Sequence, residues 1–285
     1  MTTPPTADAI FDYEGFEPRL DELSRAYRAA EPFPHAVLDD FLVPAAAKRA
    51  LDDFPALDDG EWLHHVHVNE RKFGRPDRAS YGPHVGAAVD ELNSPRFVAL
   101  LERLTGVRGL FADPSFQGGG LHQSARGGFL NIHADFTVHP RHRDWRRRVN
   151  VLVYLNEDWP DAYGGHLELW DRDVTACARR VAPIFNRAVI FNTDRDSFHG
   201  HPEPLACPEG RTRKSIALYY FTRDDARVFT RSTEYRARPG DGPRRALIYA
   251  DKMALRLYDA VKRRVGFDDR LVSRVLAALD RLRPR

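Results

Sequence analysis

The stretch Arg147–Asp171 reads "RRVNVLVYLNEDWPDAYGGHLELWD". Two short runs, "VNVLVYLN" and "GHLELW", carry β-branched, apolar and aromatic residues and are parted by Asp, Pro and Gly. Runs this short, bounded by turn residues, are strands rather than helices. The same texture continues on both sides. Upstream lie a run near 121–123 and "GGFLNIHAD"; downstream lie "CARRVAP", "RAVIFN", "FHGHPE" and "KSIALYYFT". Eight short strands at this spacing predict a mainly β core of the double-sheet, jelly-roll kind.

Outside the core the period changes. Leu20, Leu23 and Tyr27 recur at helical spacing. "PHAVLDDFL" predicts a strand, and "VPAAAKRALDDF" a helix with Pro44 in its first turn. "VGAAVDEL" and "SPRFVALLERLTG" predict two helices, the second with Ser94 as N-cap and Gly106 as its stop. Residues 60–82 read as a loop; Trp62, His64, His65 and His67 precede a segment that could fold over a site as a lid. Beyond residue 243, Ala250, Met253, Leu257, Tyr258 and Val261 share one helical face, and Leu271, Val275, Leu279 and Leu282 another. These stripes predict packing on the sheet or a homodimer interface. The expected division is 1–114, a helical and strand region packed on the core; 115–230, the core; and 231–285, a helical extension. The fold class is α+β.

The bulk numbers exclude several classes. The chain has 285 residues, 42% hydrophobic, with 43 basic against 41 acidic residues and a net charge of +2. So balanced a surface implies no nucleic-acid partner. No run approaches the eighteen apolar residues of a membrane span, and "MTTPPTADAIFDYEG" lacks the basic-then-apolar pattern of a signal peptide. With two cysteines, Cys177 and Cys207, a disulfide framework is not expected, which points to the cytoplasm.

On a strand, residues i and i+2 share a face, so His133 and Asp135 can aim an imidazole and a carboxylate at one point. "TDRDSFHGHPEP" offers His199, with His201 as a rival, at the entry to a late strand that would neighbour an early one. Two imidazoles and a carboxylate on one face of a metal suit iron(II) oxygen chemistry, with zinc as the competitor. "RTRKSIALYYF" bears on that choice. Arg213 and Ser215 share a face, and a guanidinium beside a hydroxyl grips a carboxylate, as a dicarboxylate co-substrate would supply.

His133-x-Asp135, His199 and Arg213-x-Ser215, in that order, resemble the iron(II)/2-oxoglutarate-dependent oxygenases. The opening stretch, with its "YLN…W…GG.L" run, resembles the prolyl-4-hydroxylase-like branch. The resemblance covers roughly residues 115–223. It implies a double-stranded β-helix, cupin-like, with His133, Asp135 and His199 as iron(II) ligands. It implies 2-oxoglutarate and dioxygen as co-substrates, with ascorbate as an accessory reductant. Arg213 and Ser215 would bind the distal carboxylate of 2-oxoglutarate, Tyr154 would reach the same carboxylate, and Leu167 would pack on its chain. The gap of fourteen residues between His199 and Arg213 is longer than in many relatives, so Arg211 stands as a rival. Because Asp135 is present, hydroxylation or a related oxidation is expected rather than halogenation.

The substrate is less legible. Asn131, on the face of His133, and Gln123, on the preceding strand, are candidate contacts. Arg141, Arg143, Arg146, Arg147 and Arg148 crowd "HPRHRDWRRR"; they read as a solvated hairpin or as a rim that docks an anionic substrate, Arg146 among them. His122, His139, His142 and His166 read as structural or surface histidines. A small metabolite and a peptidyl residue are equally open as targets. The alternatives are a cupin-like isomerase or hydrolase without 2-oxoglutarate, against which Arg213 and Ser215 argue, and a silent binding module, against which the complete ligand set argues.

Overall fold

Alternation organises the sheet. In the computed structural model, which describes residues 8–59, 62–224, 233–250 and 253, the eight expected core strands are all present. They are β5 (Gly120–Ser124), β6 (Phe129–Ala134), β7 (Trp145–Tyr154), β8 (Leu167–Trp170), β9 (Cys177–Val181), β10 (Arg187–Asn192), β11 (His199–His201) and β12 (Arg213–Arg223). Others join them: β1 (His35–Leu38), β2 (Leu63–His67), β3 (Glu70–Arg75), β4 (Phe111–Ala112) and β13 (Glu234–Tyr235). The order is β1-β10-β7-β12-β5-β3-β6-β11-β8-β9, with β2 on β3, β4 on β12 and β13 on β6. Every pairing between these strands is antiparallel. The result is the nearly closed barrel of a double-stranded β-helix.

Val149, Val151 and Val153 of β7, Ile216, Leu218 and Tyr220 of β12, and Leu121 of β5 turn to one side. They share a buried cluster with Leu20 and Tyr27 of α2 (Leu20–Ala29), Val89 and Leu92 of α4 (Pro83–Leu92), and Phe97 and Leu101 of α5 (Pro95–Thr105). Helices therefore cover the outer face. A short α1 (Tyr13–Phe16) and α3 (Pro44–Asp52) complete this layer. Residues of opposite parity face inward. Tyr154, Leu152 and Asn150 stand opposite Ser215, Ala217 and Tyr219, and His122 stands opposite Ser215 from the other side.

The expected caps form. Ser94 accepts the Phe97 N–H at 3.1 Å, and Gly106 ends α5 at a φ of 78°. Pro44 occupies the first turn of α3. The expectation of a loop across 60–82 fails. Residues 63–75 are the β2–β3 hairpin, and β3 lies within the sheet, bonded to both β5 and β6. The β2 run "LHHVH" lacks the apolar content by which a strand is recognised. Cys177 and Cys207 are free thiols. Among the described residues no helix is long and apolar enough to cross a membrane. Residues 244–250 are helical. The remaining C-terminal stripe positions, from Leu257 to Leu282, lie outside the described residues.

Candidate active site

Strands β6 and β11 are neighbours, and His199 sits directly opposite His133. Their ring centroids are 4.5 Å apart. Asp135 follows the end of β6, with Oδ1 3.5 Å from His133 Nε2 and Oδ2 3.5 Å from His199 Nε2. One ligand atom from each residue falls within 4.8 Å of the others. The two Nδ1 atoms lie 3.0 and 2.9 Å from the Asn131 and Ser197 carbonyl oxygens. A carbonyl accepts only, so each Nδ1 carries the proton and each Nε2 presents a lone pair to the shared centre. Gly200 permits the close approach of the strands, since a Cβ there would lie 2.7 Å from the Leu130 oxygen. Burial and the neighbouring His133 lower the His199 pKa to about 4, so the ring is neutral.

Asp135 is held by two further side chains. Arg147 Nη2 and Asn150 Nδ2 donate to Oδ2 at 2.9 and 2.8 Å, and Arg147 Nε donates to Asn150 Oδ1 at 2.9 Å. The guanidinium is sandwiched between the rings of Phe136 and Tyr219. Burial opposes charge on Asp135, but Arg147 and the histidines outweigh it and hold the carboxyl well below its usual range. Sequence reasoning placed Arg147 on an exposed rim; it is 1% exposed. The cause is a bulge. Tyr220 pairs with Val149 but Phe221 with Arg147, so Arg148 is skipped and the parity inverts.

Arg213 opens β12 and is buried. Its Nε donates to the Gly165 carbonyl at 2.8 Å and its Nη2 to the Tyr154 hydroxyl at 3.2 Å. No carboxylate among the described residues pairs with it. Gly165, at a φ of 75°, leaves room for this contact; a Cβ would lie 2.9 Å from Arg213 Cδ. Ser215 is buried on the same inner face, and Leu167 packs with Tyr154, Leu169 and Phe191. The rival Arg211 points elsewhere, donating to the Glu157 and Asp158 carbonyls over the Tyr163 ring. His201 is buried but does not join the ligand cluster.

The expected substrate contacts fare differently. Gln123 lies on the outer parity of β5, paired with Lys214, and its amide is used by Pro55 O and Thr212 Oγ1. It is not available to a substrate in the barrel. Asn131 was placed by counting two back from His133, but β6 carries an extra residue between Leu130 and His133 relative to β11. Its amide donates to Asn69 Oδ1 at 3.0 Å, and it lines a cavity of about 280 Å³ with Val66, His67, Phe129 and Ile248. Arg146 is half-exposed, 3.9 Å from Asp224. His139 is buried, with Nε2 3.3 Å from Asp113. Three interior residues were not anticipated. Lys72 and Glu70 of β3 form an ion pair at 3.1 Å, and Tyr235 of β13 packs its ring 5.5 Å from that of His133.

Residues 119–221 match the family model described as the 2OG-Fe(II) oxygenase superfamily. Over these residues the chain is similar to that superfamily. No curated relative matches the chain by sequence. Among solved structures, the core resembles a prolyl hydroxylase from Trichoplax adhaerens, in complex with a peptide fragment of the hypoxia-inducible factor oxygen degradation domain. The two are 20% identical, with 74% of this chain and 94% of that one covered and a TM-score of 0.54. It also resembles a Pseudomonas putida prolyl-4-hydroxylase, at 16% identity, with 71% and 100% covered and a TM-score of 0.50. At such identities the likeness speaks for the double-stranded β-helix, while substrate choice rests with the site. The family match begins at Gly119, just ahead of β5, and ends at Phe221 in β12. It therefore spans the triad and Arg213.

Proposed function

We propose that this oxygenase couples decarboxylation of 2-oxoglutarate to hydroxylation, or a related oxidation, of an unactivated C–H bond in a small metabolite or a peptidyl residue. The observation that carries this reading is the pairing of the His133–Asp135–His199 cluster with a buried Arg213 with which no carboxylate among the described residues pairs, inside one barrel. The donor set fits a divalent iron ion: two imidazoles whose Nε2 atoms face the shared centre, and one carboxylate kept ionised by Arg147. His133, Asp135 and His199 would hold that ion. When bound, iron(II) supplies the oxygen chemistry.

The chain's own residues do the positioning. A buried cation needs an anion, and the distal carboxylate of 2-oxoglutarate supplies one for Arg213. Tyr154 and Ser215 orient that carboxylate. Leu167, with Leu169 and Phe191 behind it, forms an apolar wall that keeps water from the co-substrate chain. The half-exposed Arg146 and the cavity beside Asn131 are the sites where substrate contact is expected.

The test is anaerobic titration of iron(II)-loaded protein with 2-oxoglutarate, followed by visible absorption. A weak charge-transfer band should grow, vanish in His133→Ala and weaken strongly in Arg213→Ala. Folded, iron-loaded protein without such a band contradicts the reading.

A further inference from the structure

His201 has no role in the site as described so far. It is 4% exposed, and its Nδ1 has no hydrogen-bond partner. Buried polar nitrogens are nearly always bonded, so an orphan of this kind inside a ligand chamber marks a place where a ligand bonds. His201 follows His199 by two positions on β11, and the extra residue of the neighbouring bulge lies in β6, so β11 keeps its alternation and the two rings leave on the same side. Strand β11 also runs antiparallel to β8, with His199 opposite Leu169 and Gly200 opposite Glu168. His201 therefore continues along β11 toward Leu167 and Gly165, whose carbonyl accepts from Arg213 Nε.

A 2-oxo dicarboxylate held by a metal at one end and by Arg213 at the other must pass this ring. We propose that His201 Nδ1–H donates a hydrogen bond to bound 2-oxoglutarate, so that His201 is a co-substrate-binding residue in addition to Arg213. This rests on the function proposed above. It gives the second histidine of "HGH" a role other than that of a spare metal ligand.

Two variants test it. His201→Leu removes the donor; His201→Asn keeps an N–H near the Nδ1 position. Each is loaded with iron(II) under anaerobic conditions and titrated with 2-oxoglutarate by calorimetry and by absorption. Metal affinity is measured separately, without co-substrate. The Leu variant should bind 2-oxoglutarate roughly tenfold more weakly, the Asn variant should retain most of the affinity, and both should hold metal as the wild type does. If both variants bind 2-oxoglutarate as tightly as the wild type, the proposal is wrong while the oxygenase reading stands. If both lose metal together with co-substrate, His201 acts through the ligand cluster, and the proposal is again wrong. If the wild type itself binds no 2-oxoglutarate, the oxygenase reading fails first and the proposal with it.

Discussion

Arg147 illustrates what single residues contribute. It touches no position where a reactant is expected, yet it sets the charge and direction of Asp135. Replacing it with Leu leaves a buried carboxylate with one fewer donor and without its guanidinium counter-charge. Loss of such a supporting partner lowers metal affinity by about 10- to 100-fold. Competitive chelator titration of Arg147→Leu should show that drop, while Arg146→Leu, one residue away and half-exposed, should not. The ligand cluster was legible in the sequence because i and i+2 on a strand is a simple rule. Arg147 was misread because it lies beside a bulge, and a bulge cannot be counted from alternation. Gln123 failed differently. Its neighbour His122 holds the inward parity, and nothing in "LHQS" says which of the two faces the barrel.

Among the elements, the turn before β8 carries a specific requirement. Gly165 has a positive φ and abuts the Arg213 side chain. Gly165→Ala adds backbone strain and pushes Arg213 from its carbonyl partner. It should weaken 2-oxoglutarate binding at least as clearly as it lowers the thermal midpoint, with metal affinity unchanged. Here the "YGGHL" pattern was readable as a motif, but its physical reason needed the structure. A second element-scale device is Asp113, just after β4. Burial opposes its charge, but His139, Ser115 and two backbone N–H groups outweigh burial and lower its pKa to about 2. A depressed carboxylate stabilises the fold above its unfolded pKa and loses that contribution as pH falls through the folded one. From an ordinary 3.8 to about 2, the contribution is about 2 kcal/mol. Urea melts should show wild type more stable than Asp113→Asn near pH 6, with the gap closing between about pH 4 and pH 2. The β2–β3 hairpin escaped sequence reading because its polar residues, His65, His67, Glu70 and Lys72, bond to one another.

At the scale of the molecule, the layers divide the work. Helices from the N-terminal third bury the outer face of strands β5, β7 and β12 and leave the inner face for ligands. Strands from outside the family-matched segment complete that sheet: β1 pairs with β10, and β3 joins β5 to β6. The jelly-roll core was legible from eight strand-like runs, each of which is a strand. The closure by β3 was not, because long-range pairing leaves no local signal. The account predicts that this assembly turns over 2-oxoglutarate. The most direct measurement is succinate formation by iron(II)-loaded protein under air, without any prime substrate. Slow succinate release should require both iron(II) and dioxygen, stop when zinc replaces iron, and be absent in Asp135→Ala and His199→Ala. Succinate that forms equally with zinc, or in those variants, or none at all from folded iron-loaded wild type, would contradict it.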